Sequence, residues 1–402
     1  MDTQIITDDI TLAAEIIRQG GLVAVPTETV YGLAGNGLDA DAVAQIYEVK
    51  GRPSVKPLSL MVPDADAMDR YCLHVPDQAR RLAERFWPGP LTIILDAKAF
   101  IPEIVLAGGS TVGLRCPDHP LTLSLLRECG LPLAAPSANP SGEESPKDAD
   151  KVKSYFDGRI EAIMDGGPCG FGRESTIIDM TAAPYRILRQ GALPAEKIAN
   201  CLADGLKLIG VTGGTGCGKT TALLEWEALG TLIIDCDKVY HDLTMDCPEM
   251  LAEIEAAFPG AVKDHVLDRK ALGARVFADA ELLLQLNRIT HRYVGIRVRE
   301  LLRAHAMAGG RYAVIDAIEL ISSGLAAQCE TTVAVIADRE KRVERIMLRD
   351  QISREYAEAR INAQHPDSYY RENCDYILVN NADPEQFQAN CRQFFKEIIN
   401  HG

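Results

Sequence analysis

Residues 208–221, LIGVTGGTGCGKTT, constrain this chain more than any other stretch. A short apolar run leads into Gly213-x-x-x-x-Gly218-Lys219-Thr220, and a helix-prone ALLEWEAL follows. Strand, glycine-rich loop and helix in that order make a phosphate-binding P-loop. The glycines let backbone N–H groups turn inward around an anion, and the helix start adds positive partial charge. Lys219 is long enough for the β and γ phosphates, and the Thr220 hydroxyl suits Mg²⁺. A P-loop follows the first strand of its domain. A new domain therefore begins near residue 206, and everything before it needs a fold of its own.

At 402 residues there is chain enough for two or three domains. No apolar run approaches the roughly 20 residues that span a bilayer, and MDTQIITDDI lacks the basic-then-apolar pattern of a secretory leader. The eleven cysteines form no C-x-x-C pair and no zinc-spaced cluster, so they read as reduced thiols of a cytoplasmic protein. Cys217, inside the loop, reads as a small residue at a permissive position. The net charge of −15 divides into −9 for residues 1–204 (19 Lys and Arg, 28 Asp and Glu) and −6 for the rest (23 and 29). Neither half is built for stable nucleic-acid binding, which needs clustered positive charge. A few local cations still suffice for a small anion.

Before the seam, residues 11–20 predict an amphipathic helix stopped by Gly20, and residues 22–25 a strand. That strand runs into the hydroxyl-rich PTETVYGL of residues 26–33. Residues 39–50 predict a second helix, which delivers KGRPSVKPL at residues 50–58. Three cations beside Gly and two prolines make either a rigid cationic loop or a plain solvated turn. Further strands are expected at 91–95, 112–116, 131–135, 160–164, 175–179 and 185–188. The strand at 131–135 meets PSANPSG, another polar edge. Arg115 stands in an apolar run and so needs a partner: it is a structural ion pair or a carboxylate clamp. Residues 192–205 read as a short linker with one weak helical stretch.

PTETVYGL, K-G-R-P-x-x-K-P-L, FWPGPLT, GLRCPDH, APSANPSG, ESTIID and ILRQGA together resemble, in this order, the YrdC-like threonylcarbamoyl-AMP synthases, over about residues 8–195. The resemblance implies a twisted mixed sheet with flanking helices. It implies synthesis of L-threonylcarbamoyl-AMP and pyrophosphate from L-threonine, bicarbonate and ATP, a product used by tRNA-modification proteins downstream. By the same resemblance Lys50, Arg52 and Lys56 face the triphosphate, with Lys50 and Arg52 catalytic. Thr111, Ser137, Asn139, Ser145 and Arg189 line the nucleotide. Thr29, Arg115 and Ser175 hold threonine. The fold is also linked to RNA binding, which the −9 balance disfavours. It occurs too in carbamoyl-transfer maturation proteins, whose acylphosphatase-like and zinc-knuckle segments are not found in this sequence.

After the loop helix, residues 231–234 predict a strand ending at Asp235-Cys236-Asp237, where a carboxylate suits Mg²⁺ or hydroxyl activation. Helix capping is the other role open to these residues, more so for Asp237 than for Asp235. Residues 267–277 read as a helix capped by Asp268, and 281–305 as one long helix or two. Strands follow at 312–316, 332–337 and 376–379, with Arg-rich helices at 339–349 and 353–363 that present a solvated face or close as a lid. GVTGGTGCGKTT, D-C-D-K-V-Y-H, LNRITH, VIDAIEL and NCDYILVNN resemble dephospho-coenzyme A kinase over about residues 206–395. The resemblance implies a P-loop parallel sheet with helices on both faces and a helical lid, phosphorylating the ribose 3′-hydroxyl of dephospho-CoA with ATP and Mg²⁺. Gly214, Thr215, Gly216, Cys217, Gly218, Lys219, Thr220 and Thr221 then hold ATP, with Arg345 and Arg349 in the lid. Thr220 and Asp235 hold the metal, and Lys219 and Asp235 are catalytic, Asp235 as base. His241, Arg269 and His291 belong to the acceptor side. Two departures touch that side: D-V-P-L-L-F-E is here DAIELIS from Asp316, and T-H-P is Thr290-His291-Arg292. The expected whole is an α/β chain with a synthase domain at 1–200 and a kinase domain at 206–402. The alternative is a tRNA-binding module joined to a degenerate, ATP-binding regulatory kinase.

Overall fold

A computed structural model of the chain describes residues 2–276 and 278–401. It divides into two compact units, Met1–Gly205 with Met307–Gly309 and Leu206–Ala306 with Gly310–Gly402. Both are α/β.

The first unit is built on a ten-stranded mixed sheet. Its spatial order is Gln4–Ile6, Ala162–Met164, Val23–Val25, Gly32–Asn36, Leu133–Ala134, Ser59–Met61, Thr111–Arg115, Leu91–Asp96, Thr176–Asp179 and Arg186–Arg189. Gly32–Asn36 (GLAGN) and Ser59–Met61 are strands that local pattern does not predict. Tertiary pairing overrides their weak propensity: Gly32–Asn36 sits between Val23–Val25 and Leu133–Ala134, fully inside the sheet. The helix Ile10–Arg18 forms because Asp9 accepts from Leu12 N at 2.9 Å, and it buries Ala13, Ala14 and Ile17. Helix Ala40–Lys50 stops at Gly51, whose φ of +59° is the left-handed conformation that glycine tolerates. Lys50 is thus the last helical residue, not part of a loop. Residues 192–205 also differ from the linker expected. They hold the helix Ala195–Ala203, which buries Ile198, Leu202 and Ala203 against helix Asp77–Phe86 of the same unit.

The second unit carries five parallel strands, in the order Leu232–Asp235, Tyr312–Asp316, Lys207–Thr212, Thr331–Ile336 and Tyr376–Val379. Alternation along Thr331–Ile336 divides the core between two faces. Val333 and Val335 meet Trp226 and Phe387, while Ala334 and Ile336 meet Tyr370. Residues 281–305 lie within one helix, Ala280–Met307. The helix expected over 267–277 is Arg269–Val276, capped by Asp268 through Ala271 N; residue 277 lies outside the described residues.

Trp226 is fully buried, donates Nε1–H to Cys391 O at 2.9 Å, and stacks on Phe395 at 5.5 Å. Truncating Phe395 to alanine removes that ring and costs about 3–5 kcal/mol. The check is a lowered urea midpoint of Trp226 fluorescence in a Trp87→Phe background, which silences the first unit.

Candidate active sites

In the first unit a cleft with about 210 Å³ of free space opens over the middle of the sheet. Arg52, Arg115 and Arg189 line it with a single carboxylate, Glu174. Arg52 is fixed by its own loop, Nε to Lys56 O at 3.3 Å and Nη2 to Pro57 O at 3.1 Å. Arg189 donates to Ser175 O at 3.0 Å and Ser175 Oγ at 3.1 Å. Arg115 is 6% exposed, donating to Glu28 Oε1 at 2.8 Å and Thr29 Oγ1 at 2.7 Å. Glu28 in turn accepts from Asp118 N at 3.0 Å. Arg115 is therefore an ion pair, and it is more than that. Its Nε–H is buried with no partner, a state that a donor adopts at a cost unless an acceptor arrives.

Of the residues named from sequence, Arg52, Thr111, Arg115, Ser137, Ser175 and Arg189 line this cleft together. Thr29 lies behind it, fully buried, bonded to Thr27 Oγ1 at 2.8 Å. Ser145 touches the edge by donating to Glu174 Oε1 at 2.7 Å. That bond holds the Glu174 carboxyl below the ordinary range and keeps it ionised. Asn139 is buried, donating to Pro140 O and Glu143 O, with its Oδ1 unpartnered. Lys56 is exposed and outside the lining. Lys50 departs most from the expectation of a cation facing the cleft. It is 3% exposed, and its Nζ donates to the carbonyls of Ser137 and Asn139. Burial, with Arg52 adding to it, pushes the Lys50 ammonium down to about 7. Sequence reading missed Glu28 and Glu174, although each sits inside a quoted motif, PTETVYGL and ESTIID.

In the second unit the loop of residues 213–218 joins strand Lys207–Thr212 to helix Lys219–Glu227. Lys219 Nζ pairs with Asp316 Oδ1, both side chains under a fifth exposed. Burial raises the Asp316 carboxyl, and Lys219 opposes that shift. Asp235 lies opposite Asp316 in register at the ends of adjacent parallel strands. It, rather than Asp237, caps the next helix, accepting from Lys238 N at 2.9 Å. Thr220 is exposed at the helix start and Thr221 is half-buried. Cys217 is 1% exposed and burial raises its thiol, as befits a packing residue.

Arg345 braces the loop from outside, reaching Gly216 O at 3.4 Å and Asn380 Oδ1 at 3.1 Å, while Asn380 Nδ2 donates to Cys217 O at 2.9 Å. Arg349 is instead paired with its neighbour Asp350 at 2.7 Å. Arg269 meets His241 Nδ1 and donates to Thr244 Oγ1 at 2.5 Å. His291 is exposed on helix Ala280–Met307. Among the described residues no three or more His, Cys, Asp or Glu gather into a metal cage, and no helix is long and apolar enough to cross a membrane.

A family model described as Sua5_yciO_yrdC, telomere recombination, matches residues 15–191, and one described as CoaE, dephospho-CoA kinase, matches residues 207–386. The threonylcarbamoyl-AMP synthase of Pyrococcus abyssi is 45% identical over 195 residues, which are 48% of this chain and 57% of that protein. The chain thus spans little more than half the length of that relative. A putative threonylcarbamoyl-AMP synthase of Mycobacterium tuberculosis is 37% identical over 202 residues, covering 50% of this chain and 93% of that protein. A solved dephospho-CoA kinase from Campylobacter jejuni is 26% identical, covers 48% of this chain and 96% of its own, and superposes with a TM-score of 0.37.

Proposed function

Since the chain belongs to the Sua5_yciO_yrdC family over residues 15–191 and matches the dephospho-CoA kinase family model over residues 207–386, we propose that it is a bifunctional, ATP-using enzyme. Its first unit, within residues 1–200, forms L-threonylcarbamoyl-AMP, pyrophosphate and water from L-threonine, bicarbonate and ATP. Its second, within residues 206–402, phosphorylates the 3′-hydroxyl of dephospho-CoA. The observation that carries the first assignment is three guanidiniums facing one cleft of an acidic protein.

In the first reaction a carbamate oxygen attacks the α-phosphorus and pyrophosphate leaves. Charge grows on the phosphates, and Arg52, already held by carbonyls of its own loop, and Arg189, held by Ser175, favour that state without reorganising. The unpartnered Nε–H of Arg115 suits the threonine carboxylate, with Thr29 and Ser175 near it. Ser137, Thr111, Asn139 and Ser145 suit the nucleotide. Carbamate is already an anion, so orientation and charge stabilisation suffice without a general base.

In the second reaction Asp235 takes the proton of the ribose hydroxyl as the hydroxyl oxygen attacks the γ-phosphorus, the bond from that phosphorus to the β,γ-bridging oxygen breaks and ADP leaves. Lys219 leaves Asp316 for the phosphates, and the loop of residues 214–221 wraps them with main-chain N–H groups other than that of Thr215, which is taken by Gln364. Thr220, Asp235 and Asp316 are hard oxygen donors that suit Mg²⁺ held partly by phosphate, which would neutralise triphosphate charge. Arg345 and Arg349 belong to the closing segment, and His241, Arg269 and His291 to the acceptor. The product of the first unit would pass to tRNA-modification proteins, and a reducing cytosol suits eleven free cysteines.

The direct test is pyrophosphate release from ATP. It requires threonine and bicarbonate together, and release that ignores either one removes the first assignment. A second expectation concerns protons. A bound polyanion raises the Lys50 ammonium from about 7, so ATP binding at pH 8 takes up a proton that is already present at pH 6. Calorimetry in buffers of different ionisation enthalpy, on Lys219→Ala protein to silence the second site, reads the uptake. Lys50→Met abolishes it.

A further inference from the structure

Thr215 lies in the first turn of the phosphate loop, and all its polar groups are held from outside the cage. Its N–H donates to Gln364 Oε1 at 2.8 Å, and its hydroxyl accepts from Gln364 Nε2 at 3.0 Å. Its carbonyl accepts from Arg342 Nε at 3.0 Å. Arg342 also donates to Gln364 Oε1 at 3.1 Å, lies 3.6 Å from Asp367, and is 5% exposed. Neither Arg342 nor Gln364 stands out in the sequence. The loop also has no room on this side: a Cβ on Gly214 would strike the Arg342 guanidinium. Glycine is therefore demanded at residue 214 by what lies behind the loop as well as by the phosphate in front.

Both partners come from one helical hairpin. Arg342 is on helix Arg339–Asp350, and Gln364 follows helix Arg354–Asn362. Val343, Ile346, Ala357 and Ile361 bury together between the two helices. We infer that Arg342 and Gln364 are positioning residues that latch this hairpin to the phosphate loop and fix the Gly214–Thr215 peptide with its N–H turned out of the cage. An unlatched glycine-rich turn samples several backbone wells, and ordering it during binding costs affinity. Latched, it meets the triphosphate already folded, and the hairpin's place and the nucleotide's grip become one equilibrium. The inference rests on residues 213–221 being a nucleotide cage.

Hydrogen exchange followed on the peptide spanning that loop, in the full chain with ATP titrated in, separates this site from the first cleft. With Gln364→Leu, exchange in the loop quickens before ATP is added. The ATP concentration that half-protects the loop rises roughly 10- to 100-fold, as expected when the competent loop conformation falls to about a tenth to a hundredth of the population. Strand Lys207–Thr212 keeps its protection. Gln364→Glu retains the acceptor for Thr215 N–H and for Arg342, and restores the protection seen without ATP. An unchanged half-protecting concentration overturns the latch. So does a loss of protection that spreads through Lys207–Thr212, which would make Gln364 a brace of the fold, and so does a failure of Gln364→Glu to restore. Absent CoA formation alongside the expected shifts counts against the assigned reaction alone.

Discussion

Lys219→Ala slows phosphorylation of dephospho-CoA by about 10²-fold or more, as loss of one preorganised charge donor does elsewhere. Two effects combine. The transferring phosphoryl loses its side-chain cation. Asp316 also loses the ammonium that offsets its burial, and Asp235, opposite it in register, keeps a like charge close. The Asp316 carboxyl, already raised, then holds a proton to higher pH. In the free protein, which kcat/KM for ATP reports, the limb that rises with pH therefore lies at higher pH in the variant than in the parent. Steady-state CoA formation between pH 5 and 9 reads both. A rate that Lys219→Ala leaves unchanged would mean that chemistry happens somewhere other than this loop. Nucleotide binding without any turnover in the parent protein would favour a regulatory kinase domain.

Arg115→Ala has a comparably large effect on the first activity, a fall of about 10²- to 10³-fold in kcat/KM for threonine, the scale of losing one partner of a buried charge pair. The loss appears mainly in the KM for threonine, since the guanidinium is read as the carboxylate clamp. Stability falls as well. Removing one member of a buried pair strands Glu28, which typically costs about 3–5 kcal/mol, and both side chains are close to a tenth exposed. Pairing Arg115→Ala with Glu28→Gln separates the two consequences: the double variant regains stability and stays inactive. If the KM for ATP moves while that for threonine stays put, Arg115 belongs to the phosphates and the clamp is wrong.

Residues that act through sequence-local geometry were legible. The P-loop announces itself because strand, glycines and helix are contiguous, and the run Tyr312–Asp316 ends in a carboxylate that reaches the loop lysine. Partnerships across distance were not. Nothing near Arg115 says that Glu28 neutralises it, since they meet only when Thr111–Arg115 and the segment after Val23–Val25 approach through the sheet. Lys50 looked like one of three loop cations. Its chemistry is set by the Ser137 and Asn139 carbonyls, which no periodicity places beside it. Strands of three to five residues such as Ser59–Met61 and Gly32–Asn36 carry too little alternation to register. Ala195–Ala203 reads as linker because small residues dilute its apolar face, and packing on Asp77–Phe86 makes it a helix.

The ten-stranded sheet has a consequence for biosynthesis. Gln4 pairs with Ala162, and Leu91–Asp96 waits for Thr176–Asp179. A ribosome must therefore release nearly the whole first unit before its outermost ladders can close. Until then the nascent chain presents unmatched strand edges, the species on which chaperones act. The parallel second sheet begins only afterward, so slowing translation once Thr176–Asp179 and Arg186–Arg189 have left the ribosome should raise the yield of native protein.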